Sequence, residues 1–391
     1  MATTKRDPRG GMRRGVDSSP FPIGIGWGKV AHFAPPSART FAMPLGPGSP
    51  GRIDPIFSGL KAVIDHYRER DTLPPLTAAD RLDGKTCLVT GPSSGLGRAI
   101  APELARRGCR VILACRAGHD GLAETIRRES GNRDVSQRAL DLADLASVIA
   151  LCDGLARDGV RLDLLVSNAG VAPLGNRPTR DGLAELFQVN FLASFVLANR
   201  LLADGVLPSE AFAGRGAARQ GGRERPVPRV VITSSETHRR GPPIDFDRFG
   251  QFPDFGLMDG TTWYGHSKLY VQTFACELGR RLVRADGTPD VSVFSYCPGA
   301  VRTGISREGG LVGKLMTAYF IDPKVSMWPA IYCAASRTLE GRSGLYLYLR
   351  HVAEADARSS DPRNGERLWQ LSLELLAARG ISLSPWRAAR P

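Results

Sequence analysis

Apolar positions along the chain change their spacing at about residue 84. Beyond it, short β-branched runs at 86–90, 111–114, 162–167, 230–233 and 291–296 alternate with stretches of helical period. Segment 145–156 is one such stretch: Leu145, Val148, Ile149, Cys152 and Leu155 recur at three- and four-residue steps, one stripe of a helix. Near-continuous apolar strands separated by helices predict an α/β fold, a doubly wound parallel sheet of the Rossmann type with helices on both faces.

The chain before residue 84 is patterned differently. Residues 1–52 are rich in Gly, Pro, Ser and Arg without periodicity, which predicts a disordered extension. Within 54–70, Ile56, Leu60, Val63 and Ile64 share one stripe and predict a short amphipathic helix, docked on the main domain or, alternatively, in weak contact with a membrane surface. The expected division is a basic extension over 1–80 and one folded domain over 81–391.

Composition narrows the picture. A hydrophobic fraction of 42% in 391 residues is ample for a sizeable core. No run approaches the ~18 consecutive apolar residues that span a bilayer, so no transmembrane helix is expected. The net charge of +13 raises the question of an anionic partner. Much of that charge lies in residues 1–50 and in the Arg-rich stretch 213–229, neither of which interleaves its cations with aromatics. Both read as solvated basic segments and not as a nucleic-acid interface. Seven cysteines stand singly, with no paired or His-clustered ligand spacing, so no metal site is expected and a reducing compartment is. The apolar stretch 21–34 is interrupted by Gly, Lys29 and His32 and makes a poor signal-peptide core, which points to the cytoplasm, with Met43 as a possible alternative start.

The chemistry begins at the first strand. It runs into Thr90-Gly91-Pro92-Ser93-Ser94-Gly95-Leu96-Gly97 and then a helical run closed by Gly108. Glycines here allow a tight turn and let backbone amides approach a pyrophosphate, while the helix that follows directs its positive end at the same anion. The second strand ends at Arg116, with no acid before Asp120. An acid at this point would bind the ribose hydroxyls of NAD, whereas a guanidinium suits the 2′-phosphate of NADP.

Farther on, Tyr264 and Lys268 stand four apart at the head of a helical pattern, on one face. A phenol is a poor base near neutrality, and a neighbouring ammonium, together with an oxidised nicotinamide, lowers its pKa. Tyr264 can then protonate a carbonyl oxygen or deprotonate an alcohol. The strand 230–233 runs into Ser234-Ser235, and the sixth strand runs into Cys297-Pro298-Gly299-Ala300-Val301-Arg302-Thr303.

In this order and spacing the motifs resemble those of the short-chain dehydrogenase/reductase family, over about residues 82–350. The resemblance implies catalytic roles for Ser235, Tyr264, Lys268 and Asn190, the last holding a proton-relay water beside the lysine. It implies cofactor contacts at Gly91, Ser93, Ser94, Gly95, Leu96, Gly97 and Arg116, at the adenine pair Asp141 and Leu142, at Asn168, Ala169 and Gly170, and at Pro298, Gly299, Val301 and Thr303, besides Tyr264 and Lys268. Ser167 departs from the family, which usually has Asn there. Tyr264–Leu282, the Ala-Cys-Arg at the end of the second strand and a helix around Leu368-Trp369 look closest to the retinol dehydrogenase and protochlorophyllide reductase branch. The expected function is hydride transfer between NADP(H) and a small alcohol or carbonyl. A wall of Phe246, Phe249, Phe252, Phe255, Leu257, Trp263, Leu311, Leu315, Met316, Tyr319 and Trp328 would make that substrate apolar. The alternative is a non-catalytic NADP-binding sensor or scaffold whose basic tail meets an anionic partner.

Overall fold

The computed structural model describes residues 73–210, 226–256, 259–302 and 321–383. The helix expected over 54–70, most of the insertion 214–228, and Leu257, Thr303, Leu311, Leu315, Met316 and Tyr319 lie outside these residues.

One eight-stranded sheet runs through the domain in the order β3-β2-β1-β4-β5-β6-β7-β8. Its strands are β1 Thr86–Thr90, β2 Arg110–Cys115, β3 Val135–Ala139, β4 Leu164–Ser167, β5 Arg229–Thr233, β6 Ser292–Cys297, β7 Leu345–Tyr348 and β8 His351–Ala353. All pair in parallel except β8, which turns back on β7. The order reverses between β1 and β4, and that reversal opens a crevice at the C-terminal ends of the strands, where nucleotides bind in such sheets. The central strands are buried on both faces, which is why they read as unbroken apolar runs.

Helices cover both faces. On one side α1 (Gly95–Arg106), α2 (Leu122–Ser130) and α7 (Trp328–Ala335) close a core around Val89, Ile100, Leu113 and Phe294. On the other, α3 (Leu145–Arg157), α4 (Glu185–Ala203), α5 (Gly260–Arg281) and α9 (Pro362–Ala377) close a larger one around Leu165, Phe191, Phe274 and Trp369. The short helices α6 (Pro323–Ser326) and α8 (Ala357–Ser360) fill the links. Asp144 caps α3 by accepting from the amides of Ala146 and Ser147. Trp369 of α9 sits edge-on to Phe195 at 4.8 Å, beneath the Arg281 guanidinium at 4.3 Å, and so pins the C-terminal helix to α4 and α5.

α4 is long and apolar enough by length and composition to cross a membrane, but it holds no unbroken apolar run and 89% of its most apolar window is buried inside the domain, so here it is a core helix. The described flanks of the basic insertion are held at the end of β5 opposite Ser234 and Ser235, where the Ser209 hydroxyl and the Glu210 amide donate to Asp290, and Ser292 N–H donates to the Pro228 carbonyl. Five strand residues separate the two ends, roughly 16 Å.

Candidate active site

Tyr264 lies in the second turn of α5, with Lys268 one turn further on. Ser235, two residues beyond β5, lies near enough to the Tyr264 phenol to favour its ionised form, while its hydroxyl oxygen accepts from Thr237 Oγ1 at 2.9 Å and from the Thr237 amide at 3.3 Å. Lys268 Nζ lies 5.6 Å from the centroid of the Tyr264 ring and donates to the Thr233 carbonyl at 2.9 Å, at the end of the same strand. Of the two serines at the strand end, Ser235 is the one beside the phenol. The Ser234 hydroxyl is buried, without a partner among the described residues.

Burial sets the electrostatics. It pushes the Tyr264 phenol well above the usual phenol range, with the Cys297 thiol also opposing ionisation and the nearby Ser235 side chain partly offsetting both. Burial also pulls the Lys268 ammonium down to about 8. Cys297, at the end of β6, is pushed up to about 11, chiefly by burial, and is therefore a neutral thiol near neutrality.

Asn190 sits in a π-helical turn, Gln188–Leu192, inside α4. Such turns insert one extra residue and redirect side chains, often at functional sites. Asn190 accepts from the Val171 amide at 2.8 Å and donates to the Val171 carbonyl at 3.0 Å and to Ser267 Oγ at 2.9 Å. Ser267 donates in turn to the Tyr264 carbonyl at 2.7 Å, so Asn190 is tied to the first turns of α5. A Cβ on Gly170 would stand 3.2 Å from Asn190 Oδ1 and 3.7 Å from Lys268 Nζ, which places this turn beside both.

The Ser235 segment and α5 touch backbone to backbone. After β5 the chain makes a 3-10 turn, Glu236–Arg239. A Cβ on Gly265 would fall 2.6 Å from the Thr237 carbonyl oxygen, and one on Gly241 would fall 2.4 Å from the His266 amide. Side chains at these two positions would force the strand end away from the helix. Gly265→Ala is therefore expected to lower the melting temperature by several degrees, from overpacking of about 1–3 kcal/mol. Turnover should fall about tenfold or more, since a 1 Å misplacement of reacting groups costs on the order of 10². Calorimetry and steady-state kinetics on this variant test the contact, and a variant with wild-type melting and turnover would contradict it.

The phosphate-side residues gather at the crevice between β1 and β4. A Cβ on Gly97 would collide with the Gly91 carbonyl at 2.2 Å and with Asn168 Nδ2 at 2.6 Å. The Thr90 hydroxyl accepts from the amides of Asn168 and Ala169 at 3.0 and 3.1 Å and so binds the β4 turn to the β1 turn. Gly95 opens α1, and Ser94 is its N-terminal boundary, but its hydroxyl does not cap the helix. Ser93 is half-buried beside it, whereas Leu96 packs into the core. Ser167, where the family usually has Asn, hydrogen-bonds Ser194 of α4 at 2.9 Å, so its polar group is satisfied within the fold.

Beyond β2 and β3 lies a cleft of about 430 Å³ lined by Arg116, Asp120 and Arg138. Arg116 is exposed there. Asp141 is half-buried, and its carboxylate accepts from the Ala143 amide at 3.0 Å. Leu142 is buried, and its carbonyl accepts from Gln188 at 3.3 Å. Neither lines the cleft. Pro298 and Gly299 follow β6, and Val301 bridges Ile321 in parallel.

The aromatic wall is only partly where it was expected. Phe249 packs on Phe187 and Tyr270 at 5.4 and 5.5 Å, Phe252 is buried beside His266, and Phe246 lies under Arg367. Trp328 stacks on Tyr332 in the core on the opposite face of the sheet. Trp263 and Phe255 are half-buried and stack on each other with ring centroids 6.4 Å apart.

Comparison with known proteins agrees with this geometry. The short chain dehydrogenase family model matches residues 85–211. Dehydrogenase/reductase SDR family member 13 of Bos taurus is 36% identical over 324 residues, covering 81% of this chain and 79% of its own. The chain is a short-chain dehydrogenase/reductase. Within that family of oxidoreductases it falls in the retinol dehydrogenase branch: human retinol dehydrogenase 14 is 34% identical over 313 residues, 74% of this chain and 86% of its own. Among solved structures, an uncharacterized protein from Mycobacterium paratuberculosis superposes with a TM-score of 0.58 at 26% identity, covering 80% of this dehydrogenase/reductase and all of its own chain. The Pseudomonas aeruginosa RhlG/NADP active-site complex shares the fold, with a TM-score of 0.51 at 20% identity over 70% of this chain and 98% of its own.

Sequence reasoning missed Gly241, Gly265, His238 and Thr90 as parts of this site. Thr90 stood inside the motif that was read, and His238 lies three residues past Ser235. No spacing rule marks the two glycines, because their contact is purely tertiary.

Proposed function

We propose that this short-chain dehydrogenase/reductase is NADP(H)-dependent and interconverts an alcohol and a carbonyl on a small, apolar substrate. The observation that carries the proposal is the buried Lys268 ammonium 5.6 Å from the Tyr264 ring, with Ser235 near enough to the phenol to favour its ionised form. A non-catalytic sensor has no need of that trio.

The residues present fit a dinucleotide. Gly91 and Gly97 let the β1 turn, the start of α1 and the β4 turn close on one another, the start of α1 keeps its amides uncapped by Ser94, and Arg116 borders a cleft. Gly95, Ser93, Asn168, Ala169, Gly170 and residues 298–302 complete the cradle in this reading. The bound nicotinamide supplies or accepts the hydride. Ser235 binds the substrate oxygen and Tyr264 moves the proton to or from it. With its pKa near 8, Lys268 is largely protonated at neutral pH and favours the phenolate by charge. Asn190 keeps the first turns of α5 in register. Trp263 and Phe255 offer the substrate an apolar flank.

Cofactor choice is assigned to Arg116. In Arg116→Ala, kcat/KM for NADPH should fall about tenfold or more while that for NADH changes little, because only the former loses a charge-assisted phosphate contact. The experiment measures purified wild type and variant with both cofactors against a panel of apolar aldehydes and ketones. Equal losses for the two cofactors would refute the assignment to Arg116. A wild type inert toward every carbonyl and alcohol with both cofactors would refute the function.

A further inference from the structure

His238 lies three residues past Ser235, in the 3-10 turn, and is completely buried. Its ring has a partner at each nitrogen. Nδ1 is 2.6 Å from the Ser235 carbonyl oxygen, and Nε2 is 3.1 Å from the Asp356 amide nitrogen. A carbonyl can only accept and an amide N–H can only donate. The two contacts therefore require one species, a neutral imidazole carrying its proton on Nδ1. Protonation would set an Nε2–H against the Asp356 N–H and break the second contact.

The ring joins the strand end to the segment after β8. Arg358 reinforces this junction, donating to the carbonyls of Gly241 at 2.7 Å, Arg239 at 2.9 Å and His238 at 3.1 Å. The inner side of the same turn rests on α5 through Gly241 and Gly265. Residues 235–241 are thus held between α5, which carries Tyr264, and an outer strap at 356–358.

We propose that His238 is a positioning residue for Ser235, its neutral imidazole tying the Ser235 carbonyl to the Asp356 amide so that the Ser235 side chain stays beside Tyr264. The proposal rests on the role given above to Ser235. It adds a group that touches neither substrate nor cofactor and that makes the site sensitive to acid. The ionisable neighbours are Glu236 and Arg239 in the same turn, Asp356 and Arg358 in the strap, and Tyr346 of β7, which meets the ring edge-on at 5.4 Å and donates to Glu236 at 3.0 Å. Burial holds the imidazole below its ordinary value of 6.5, with Arg239 acting in the same direction and the Ser235 carbonyl, Glu236 and Asp356 opposing. The folded pKa is thus the lower one. The tie is intact above about 6.5 and is lost as the pH falls through the folded value.

The test uses the full chain. Selective ¹⁵N labelling of histidine in the ligand-free protein should show His238 neutral with its proton on Nδ1 at pH 7, and still neutral below pH 6.5. An imidazolium, or a proton on Nε2, at pH 7 would overturn the proposal without reference to activity. In kinetics, H238A should lose about tenfold in kcat while its dissociation constant for NADPH stays within about threefold. H238N keeps a donor facing the Ser235 carbonyl and cannot titrate, so it should recover most of the neutral-pH kcat and lack the acid limb of the wild-type profile. A folded H238A with wild-type kcat, or an H238N profile with the wild-type acid limb, would overturn it. If H238A does not fold, the H238N profile and the spectra decide. Activity in wild type that is absent in Tyr264→Phe leaves the proposed function standing whichever way His238 falls.

Discussion

Lys268→Met is expected to give a ligand-free chain that melts at a higher temperature than wild type and turns over at least about tenfold more slowly. The rate loss follows from removing the charge beside the Tyr264 phenol. The gain in stability follows from burial: the Lys268 ammonium is 3% exposed and accepts its place only by donating to the Thr233 carbonyl. Desolvating an ammonium costs several kcal/mol, whereas losing one hydrogen bond costs about 1 kcal/mol, so the first effect wins. Methionine fills nearly the same volume without a charge. The pH dependence has a definite sign. The folded pKa is about 8 against 10.5 for the free side chain. The unfolded chain therefore takes up this proton first as the pH falls from 10.5, and the folded state carries the full cost below about 8. The difference in melting temperature between variant and wild type should be widest at pH 7 and should shrink toward pH 10. Calorimetry at the two values checks it, and a variant that melts lower than wild type at pH 7 would contradict the account of Lys268.

Tyr264→Phe is expected to lose about 10²–10⁴-fold in the rate of hydride transfer, the usual contribution of a positioned proton donor. Little else should change. Only a hydroxyl is removed, any one hydrogen bond it makes contributes about 1 kcal/mol, and the β1 side of the sheet is untouched. Burial already holds this phenol protonated, which suits it to donate to a developing alkoxide. Lys268 acts on the reaction through this group, so the losses from Tyr264→Phe and Lys268→Met should not add. The double variant should be scarcely slower than Tyr264→Phe, and a fully additive double loss would show that the lysine works independently.

The parts of the fold legible in the sequence are those whose burial is uniform. β1, β2, β4, β5 and β6 lie inside the sheet and read as apolar runs, and the stripe at 145–156 became α3. β3 escaped notice because it is an edge strand whose sequence, Val-Ser-Gln-Arg-Ala, buries only its first residue. α4 is apolar all round because the domain encloses it, so its period is faint and its hydropathy resembles that of a membrane span. In the candidate site, Tyr264 and Lys268 were visible because one helix sets their spacing. The relation of Ser235 to Tyr264 was not, since it depends on two glycines in contact across 24 residues of sequence and on a histidine joined to a segment 118 residues away. Trp328 was misplaced for a related reason: composition marks an aromatic residue as wall material but does not say which face of the sheet it joins.

In the proposed reaction Tyr264, supported by Ser235 and Lys268, gives a proton to the carbonyl oxygen as the carbonyl carbon takes hydride from NADPH. The most direct measurement follows deuterium from [4,4-²H2]NADPH to an apolar aldehyde in a single turnover of the purified chain. The account predicts one deuterium on the carbinol carbon of the alcohol formed by wild type. Under the same conditions it predicts almost none from Tyr264→Phe, although that variant is folded and binds NADPH as tightly. Deuterium transfer at the wild-type rate by folded, NADPH-loaded Tyr264→Phe would contradict it.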